Sequence, residues 1–348
     1  MTTTFNLEQL VRKNVLKLTP YSSARDEFTG FKNSMIFLDA NENPFENGVN
    51  RYPDPQQRTV KDVLAIQKGV LDSQILLGNG SDEVLDLIFR VFCEPKVDNI
   101  ITLPPTYGMY KVLAEINDIE NREVLLTEDF KLNTNAILER IDSNTKLLFI
   151  CSPNNPTGNI FNSQAIETLL KSFNGIVVID EAYIDFSSCS SWVNRLEEFP
   201  NLFVTQTLSK AYGMAGIRLG ICYASKDIIG IINKVKPPYN VNELTQLKAL
   251  ERLDNLELVR SEIFSITEGK TKLFKALNEL SWIEKVYPSE ANFLLLKVDN
   301  ASKRYDQLIQ KGIVVRDRSS QPLCHNTLRI TIGTQGENIK LIEVLKTI

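Results

Sequence analysis

A serine, a lysine and an arginine stand close together in the stretch FVTQTLSKAYGMAGIRLGI, residues 203–221. The stretch begins as an apolar, β-branched run, which predicts a buried strand. Ser209 and Lys210 follow that strand, and Arg218 comes eight residues after the lysine. Desolvation disfavours an ammonium in an apolar site, so its pKa falls. A neutral lysine amine is a nucleophile able to form a Schiff base. Taken by itself, a lysine here reads rather as one that snorkels to water.

Three further segments carry polar groups at strand ends. CSPNNPTG, residues 151–158, is a stiff turn after an apolar run, and Asn155 within it offers a side-chain hydrogen bond. The carboxyl edge of an open α/β sheet is where ligands bind. GIVVIDEAYIDF, residues 175–186, puts Asp180 and Glu181 at the end of a strand, with Tyr183 close behind. A carboxylate buried there needs a cation or a donor, whereas one in a loop needs only water. GNGSDE, residues 78–83, is a glycine turn running into a helix with Ser81 in the cap region. Such a helix start suits a phosphate; alone, it reads as a plain capped helix. It lacks the third glycine of a dinucleotide fingerprint. EGKT, residues 268–271, is no P-loop, because Phe264 stands where that loop needs glycine.

The elements that must hold these groups follow from periodicity. NIITLP, LLFICSP, GIVVIDEAY, NLFVTQTLS and LGICYAS read as strands between residues 98 and 225. Amphipathic stretches such as YGMYKVLAEIN and NSQAIETLLKSF alternate with them. This pattern predicts an α/β domain with a mostly parallel sheet covered on both faces. Pro237 and Pro238 break the pattern. Long helices are expected over about 242–280, followed by NFLLLKV, a helix over about 302–311, IVVRD, LRITIG and a terminal helix. This part reads as a smaller α+β domain. The expected division is residues 1–45 packing on the small domain, 46–240 the large domain, and 241–348 the small one.

Composition narrows the classes. The 348 residues carry 39 Lys and Arg against 43 Asp and Glu, for a net charge of −4. No global positive field recruits nucleic acid or an anionic membrane, so an anionic small molecule needs a local cluster of cations. The five cysteines are scattered without a C-x-x-C, and His325 is the sole histidine. No structural zinc site is expected. A Ser-His-Asp site would have to use His325, which reads as a loop residue. MTTTFNLEQLVRKNV has no apolar core of a secretory signal, and no apolar run is long enough to cross a membrane, so a cytoplasmic protein is expected.

Together, NNPTG, DEAY and TLSKAYGMAGIRLG stand in the order and spacing of the fold type I, class II aminotransferases that use pyridoxal 5′-phosphate, and the chain resembles that family along nearly its whole length. LTPYSSAR, LDANENPF, NRYPDP, PTYGMY, KPPYNVN and VVRDRSSQP…LRITIGT are similar to the branch acting on histidinol phosphate. The resemblance implies transamination of L-histidinol phosphate with 2-oxoglutarate in histidine biosynthesis. Relatives acting on aromatic amino acids, and decarboxylases of phosphorylated amino acids, share much of the pattern. A non-catalytic relative of the fold would show a degraded site, which these motifs do not.

The resemblance also implies roles. Lys210 would carry the cofactor, Asp180 would pair with its ring nitrogen, and Asn155 and Tyr183 would bond its ring oxygen. Tyr107 would stack on the ring. Ser81, Asp82, Thr207, Ser209 and Arg218 would hold its phosphate, with Tyr52 reaching in from the second subunit of a homodimer. Tyr21, Asn43, Asn155, Arg316 and Arg329 would contact substrate.

Overall fold

The computed structural model describes residues 5–21 and 36–348. Its larger sheet has seven strands in the order β1-β7-β6-β5-β4-β2-β3. They are β1 (Ile75–Asn79), β2 (Asn99–Thr102), β3 (Glu120–Glu123), β4 (Thr145–Cys151), β5 (Ile176–Asp180), β6 (Leu202–Thr207) and β7 (Leu219–Ala224). The neighbours among β2 to β6 are parallel, while β7 runs antiparallel to both β6 and β1. A reversed β7 places its first residue at the edge where the other strands end. Arg218 therefore lies beside the ends of β6 and β1, and Thr207 and Gly78 are both Cα partners of Gly220.

The strands are buried on both faces, which their near-continuous apolar runs dictate. Val177 and Ile179 of β5 enter one core with Leu148, Ile150 and Val204. Ile176 and Val178 enter the other, with Phe149, Phe203 and the helix residues Leu85, Ile88 and Phe89. Two short helices near the start, α1 (Leu7–Leu10) and α2 (Lys13–Lys17), precede α3 (Arg58–Lys68), α4 (Ser81–Phe92) and α5 (Met109–Ile116). Val11 and Val15 pack into the second core, on the large sheet, so this part of the N-terminal segment lies against the large domain and not, as expected, against the small one.

Helices α6 (Thr134–Glu139), α7 (Ser163–Ser172) and α8 (Lys226–Asn233) complete the cover. The long helices α9 (Glu243–Leu253) and α10 (Leu256–Leu277) lead to an antiparallel sheet, β10-β11-β9-β8. It comprises β8 (Ile283–Val286), β9 (Phe293–Val298), β10 (Arg316–Asp317) and β11 (Thr327–Thr331). Helices α11 (Ala301–Gln310) and α12 (Gln335–Leu345) flank it. Its core joins Leu294, Leu296, Leu328 and Ile330 to Leu273, Leu277, Leu341 and Leu345. The IVVRD segment forms a strand only at Arg316–Asp317, because β10 is an edge strand and Val314 projects into water. No helix among the described residues is long and apolar enough to cross a membrane.

Candidate active site

One cleft at the carboxyl edge of the large sheet is lined by Ser81, Asp82, Tyr107, Cys151, Asn155, Asp180, Tyr183, Thr207, Ser209, Lys210 and Arg218. At about 90 Å³ it is smaller than two surface grooves of about 490 and 680 Å³, but those lack this gathering of titratable groups at strand ends. The parallel strands explain the gathering. Cys151, Asp180 and Thr207 end β4, β5 and β6, so each following loop delivers its polar groups to the same edge.

Asp180 lies at the bottom, 4% exposed. Tyr110 donates its hydroxyl to Asp180 Oδ2 at 2.6 Å, and the Ala182 amide donates to Oδ1 at 3.1 Å. Burial raises the Asp180 pKa, and the Tyr110 and Ala182 hydrogen bonds oppose the rise. Tyr110 itself stacks on Phe149, which fixes its ring. The sequence reading missed Tyr110, which lies seventy residues before its partner; only the packing of α5 on the sheet joins them.

Lys210 lies at the cleft mouth, its Nζ 5.8 Å from the Tyr183 ring centroid. Its pKa is lowered first by burial and then by the nearby Arg329 charge, with Asp180 and Asp82 pulling the other way. Asn155 donates to the Tyr183 hydroxyl at 3.5 Å and accepts from Arg329 Nη1. Arg329 also lies over the Phe293 ring, 5.1 Å from its centroid, and Phe293 packs edge-on against Tyr183. The small sheet thereby supplies an arginine to a site built on the large one.

The start of α4 is capped by Gly80 with no side-chain hydrogen bond to its free amides. Arg218, in left-handed backbone, reaches the same spot: a Cβ on Gly80 would lie 2.6 Å from its Nη2. A Cβ on Gly220 would lie 2.2 Å from the Ser81 amide nitrogen, so only glycine lets the helix start sit against β7. Thr207 Oγ1 accepts from the Ser209 amide at 3.1 Å and orders that turn. The Tyr107 hydroxyl donates to Asp82 at 3.1 Å.

The remaining residues singled out in the sequence lie outside this lining. Tyr21 is 75% exposed, Asn43 is exposed, and Arg316 is exposed on β10. Tyr52 stacks on Tyr239 at 4.5 Å within its own chain and is 48% exposed.

Glu181 faces away from the cleft, because successive strand residues alternate sides. It is 1% exposed and accepts from Ser191 Oγ at 2.5 Å, the Trp192 amide at 2.7 Å and Gln206 Nε2 at 2.8 Å. Burial nevertheless raises its pKa to about 7. The folded state then binds its proton more tightly than the unfolded chain, so stability falls as pH rises through this window. The loss between about pH 4.5 and 7 is on the order of 3 kcal/mol. Glu181→Gln keeps an acceptor for Trp192 and is expected to flatten that part of the profile. Melting temperatures across this range check it; parallel curves for the two proteins would exclude Glu181 as the source.

The geometry now meets its relatives. The model of the family "Aminotransferase class I and II" matches residues 39–345. The chain belongs to this family. It is 63% identical to the histidinol-phosphate aminotransferase of Flavobacterium johnsoniae over 99% of both chains. It is 62% identical to that of Christiangramia forsetii, over 98% of both. The crystal structure of the histidinol-phosphate aminotransferase from Clostridium acetobutylicum superposes with a TM-score of 0.80 at 26% identity, covering 86% of this chain and 90% of that one.

The aminotransferase's cofactor is pyridoxal 5′-phosphate. The donor set fits it: an amine of lowered pKa, a buried carboxylate, and an open helix start beside an arginine.

Proposed function

We propose that the chain transaminates L-histidinol phosphate with 2-oxoglutarate, giving imidazole-acetol phosphate and L-glutamate in histidine biosynthesis. The observation that carries this is Lys210, an amine of lowered pKa in the same cleft as a buried aspartate and with an arginine-bearing strand alongside. When bound, pyridoxal 5′-phosphate supplies an electron sink for the pair left when the substrate's Cα proton departs.

The chain's residues do the rest. Lys210 Nζ would hold the cofactor through its carbonyl, and its amine would serve as the base and acid that moves the substrate's Cα proton. Asp180, anchored by Tyr110, would pair with the cofactor's ring nitrogen and keep a proton on it. Asn155 and Tyr183 bond the ring oxygen, and Tyr107 covers the ring. The amides of Ser81 and Asp82, the hydroxyls of Thr207 and Ser209, and Arg218 hold the cofactor phosphate. Arg329 and Arg316, with Tyr21, Asn43 and Asn155, receive the substrate's anionic end.

A homodimer with shared sites is part of this proposal. Tyr21, Leu38, Phe45, Val49, Tyr52 and Leu244 are exposed, and a second copy covering them would bring Tyr52 to its partner's cofactor phosphate. We also place the enzyme in the cytoplasm and divide it at about residues 45 and 240.

The test is a spectrum of the holoenzyme with L-histidinol phosphate and no keto acid. The cofactor's visible band should shift as the amino group transfers, and sedimentation of the same sample should give the mass of two chains. A band that moves with aromatic amino acids or O-phospho-amino acids but not with histidinol phosphate would reassign the substrate. A one-chain mass would remove the shared site.

A further inference from the structure

The antiparallel ladder of the small sheet concentrates positive charge. Arg316 is the Cα partner of Arg329, and Asp317 of Leu328. The ladder continues one step, with the Arg318 amide donating to the Thr327 carbonyl at 2.9 Å. Side chains alternate along strands, so Arg316, Arg318 and Arg329 share one face. Asp317 and Leu328 take the other, where Leu328 is fully buried in the small core. The arginine face looks toward the cleft, where Arg329 meets Asn155 and lies over Phe293.

This arrangement is unfavourable unless an anion joins it. Like charges directly across a ladder repel, and a half-buried guanidinium loses hydration. No carboxylate among the described residues forms an ion pair with any of the three. The Nε atoms of Arg318 and Arg329 are buried without an acceptor, and the neighbouring Ser319 hydroxyl has no partner either. Burial, then Arg329 and Arg316, bring the Arg318 pKa down to about 10, while Tyr183 opposes the shift. An anion seated among them would relieve both the repulsion and the unmet donors.

We propose that Arg318 is a specificity-determining residue, a third guanidinium that with Arg316 and Arg329 selects a phosphate-monoester dianion over a carboxylate at the substrate's anionic end. The inference rests on the transaminase reading above and deepens it. A phosphate monoester carries close to two charges at neutral pH and three acceptor oxygens, against one charge and two oxygens on a carboxylate. Two guanidinium groups suffice for either one of glutamate's two carboxylates. The third adds charge and donors that only the dianion uses fully.

The experiment titrates wild type, Arg318→Gln and Arg318→Lys holoenzymes, reading the cofactor band without keto acid. In Arg318→Gln the half-saturating concentration of L-histidinol phosphate should rise roughly 10- to 100-fold. That of L-glutamate should rise by about threefold or less, and Arg318→Lys should recover part of the loss. Inorganic phosphate is the second probe. It should compete with L-glutamate in the wild type and compete at least tenfold more weakly in Arg318→Gln. Equal losses for both donors, or unchanged histidinol phosphate and phosphate binding, would overturn the role of Arg318. A wild type blind to histidinol phosphate would instead refute the substrate assignment, and the phosphate competition would still decide the role of Arg318.

Discussion

Lys210→Ala is expected to lower turnover by about 10⁴-fold or more, since it removes both the covalent attachment and the proton shuttle. The loss should not come from unfolding. Lys210 follows β6 at the cleft mouth, and no core cluster includes its side chain. The fold around it is carried by the two apolar layers of the large sheet. The variant should therefore melt near the wild-type temperature while losing the visible band of the covalently attached cofactor. The lowered Lys210 pKa adds a pH signature: attachment of the cofactor to the apoenzyme should quicken with pH as the ammonium loses its proton, at a pH below that of ordinary lysine. Rates measured with and without the keto acid, beside a melting curve, decide the matter. Wild-type turnover in a folded variant would end the proposed mechanism.

Asp180→Asn should keep the fold and the cofactor yet lose most of the rate, on the order of a hundredfold. The amide is isosteric and leaves Tyr110 an acceptor oxygen, so the change is mainly one of charge. A neutral amide cannot stabilise a proton on the ring nitrogen as a carboxylate does. Cofactor retention and single-turnover rates should be measured together. Loss of cofactor with an unchanged intrinsic rate would make Asp180 an anchor only. The variant also relieves the cost of burying a carboxylate, so it should be at least as stable as wild type at neutral pH.

The candidate catalytic groups were legible because each sits a fixed, short distance beyond an apolar run. Strand periodicity and the rule that ligands bind at the carboxyl edge marked Lys210, Asp180, Asn155 and Ser81 only as candidates. The resemblance of TLSKAYGMAGIRLG and DEAY to a cofactor-binding family then joined segments that were ambiguous one by one. Composition set the remaining bounds: too little positive charge for nucleic acid, and a sole histidine, His325, that reads as a loop residue rather than a triad member.

Long-range geometry decided what spacing left open. Asp180 and Glu181 look alike in the chain, but strand alternation turns one to the cleft and the other to Ser191, Trp192 and Gln206. Tyr110 became a partner of Asp180 only when α5 docked on the sheet. The reversal of β7 put Arg218 beside a helix start more than a hundred residues earlier, and made Gly220 a steric requirement. Register on the small sheet, which no local pattern specifies, brought Arg316 opposite Arg329 and added Arg318 to their face. Sequence by itself determined the strands that present the site and, through the resemblance of its motifs, the cofactor chemistry, because both are carried by short local segments. Tertiary structure alone decided which polar groups support that chemistry, because those contacts form between segments whose separation in sequence carries no periodic signal.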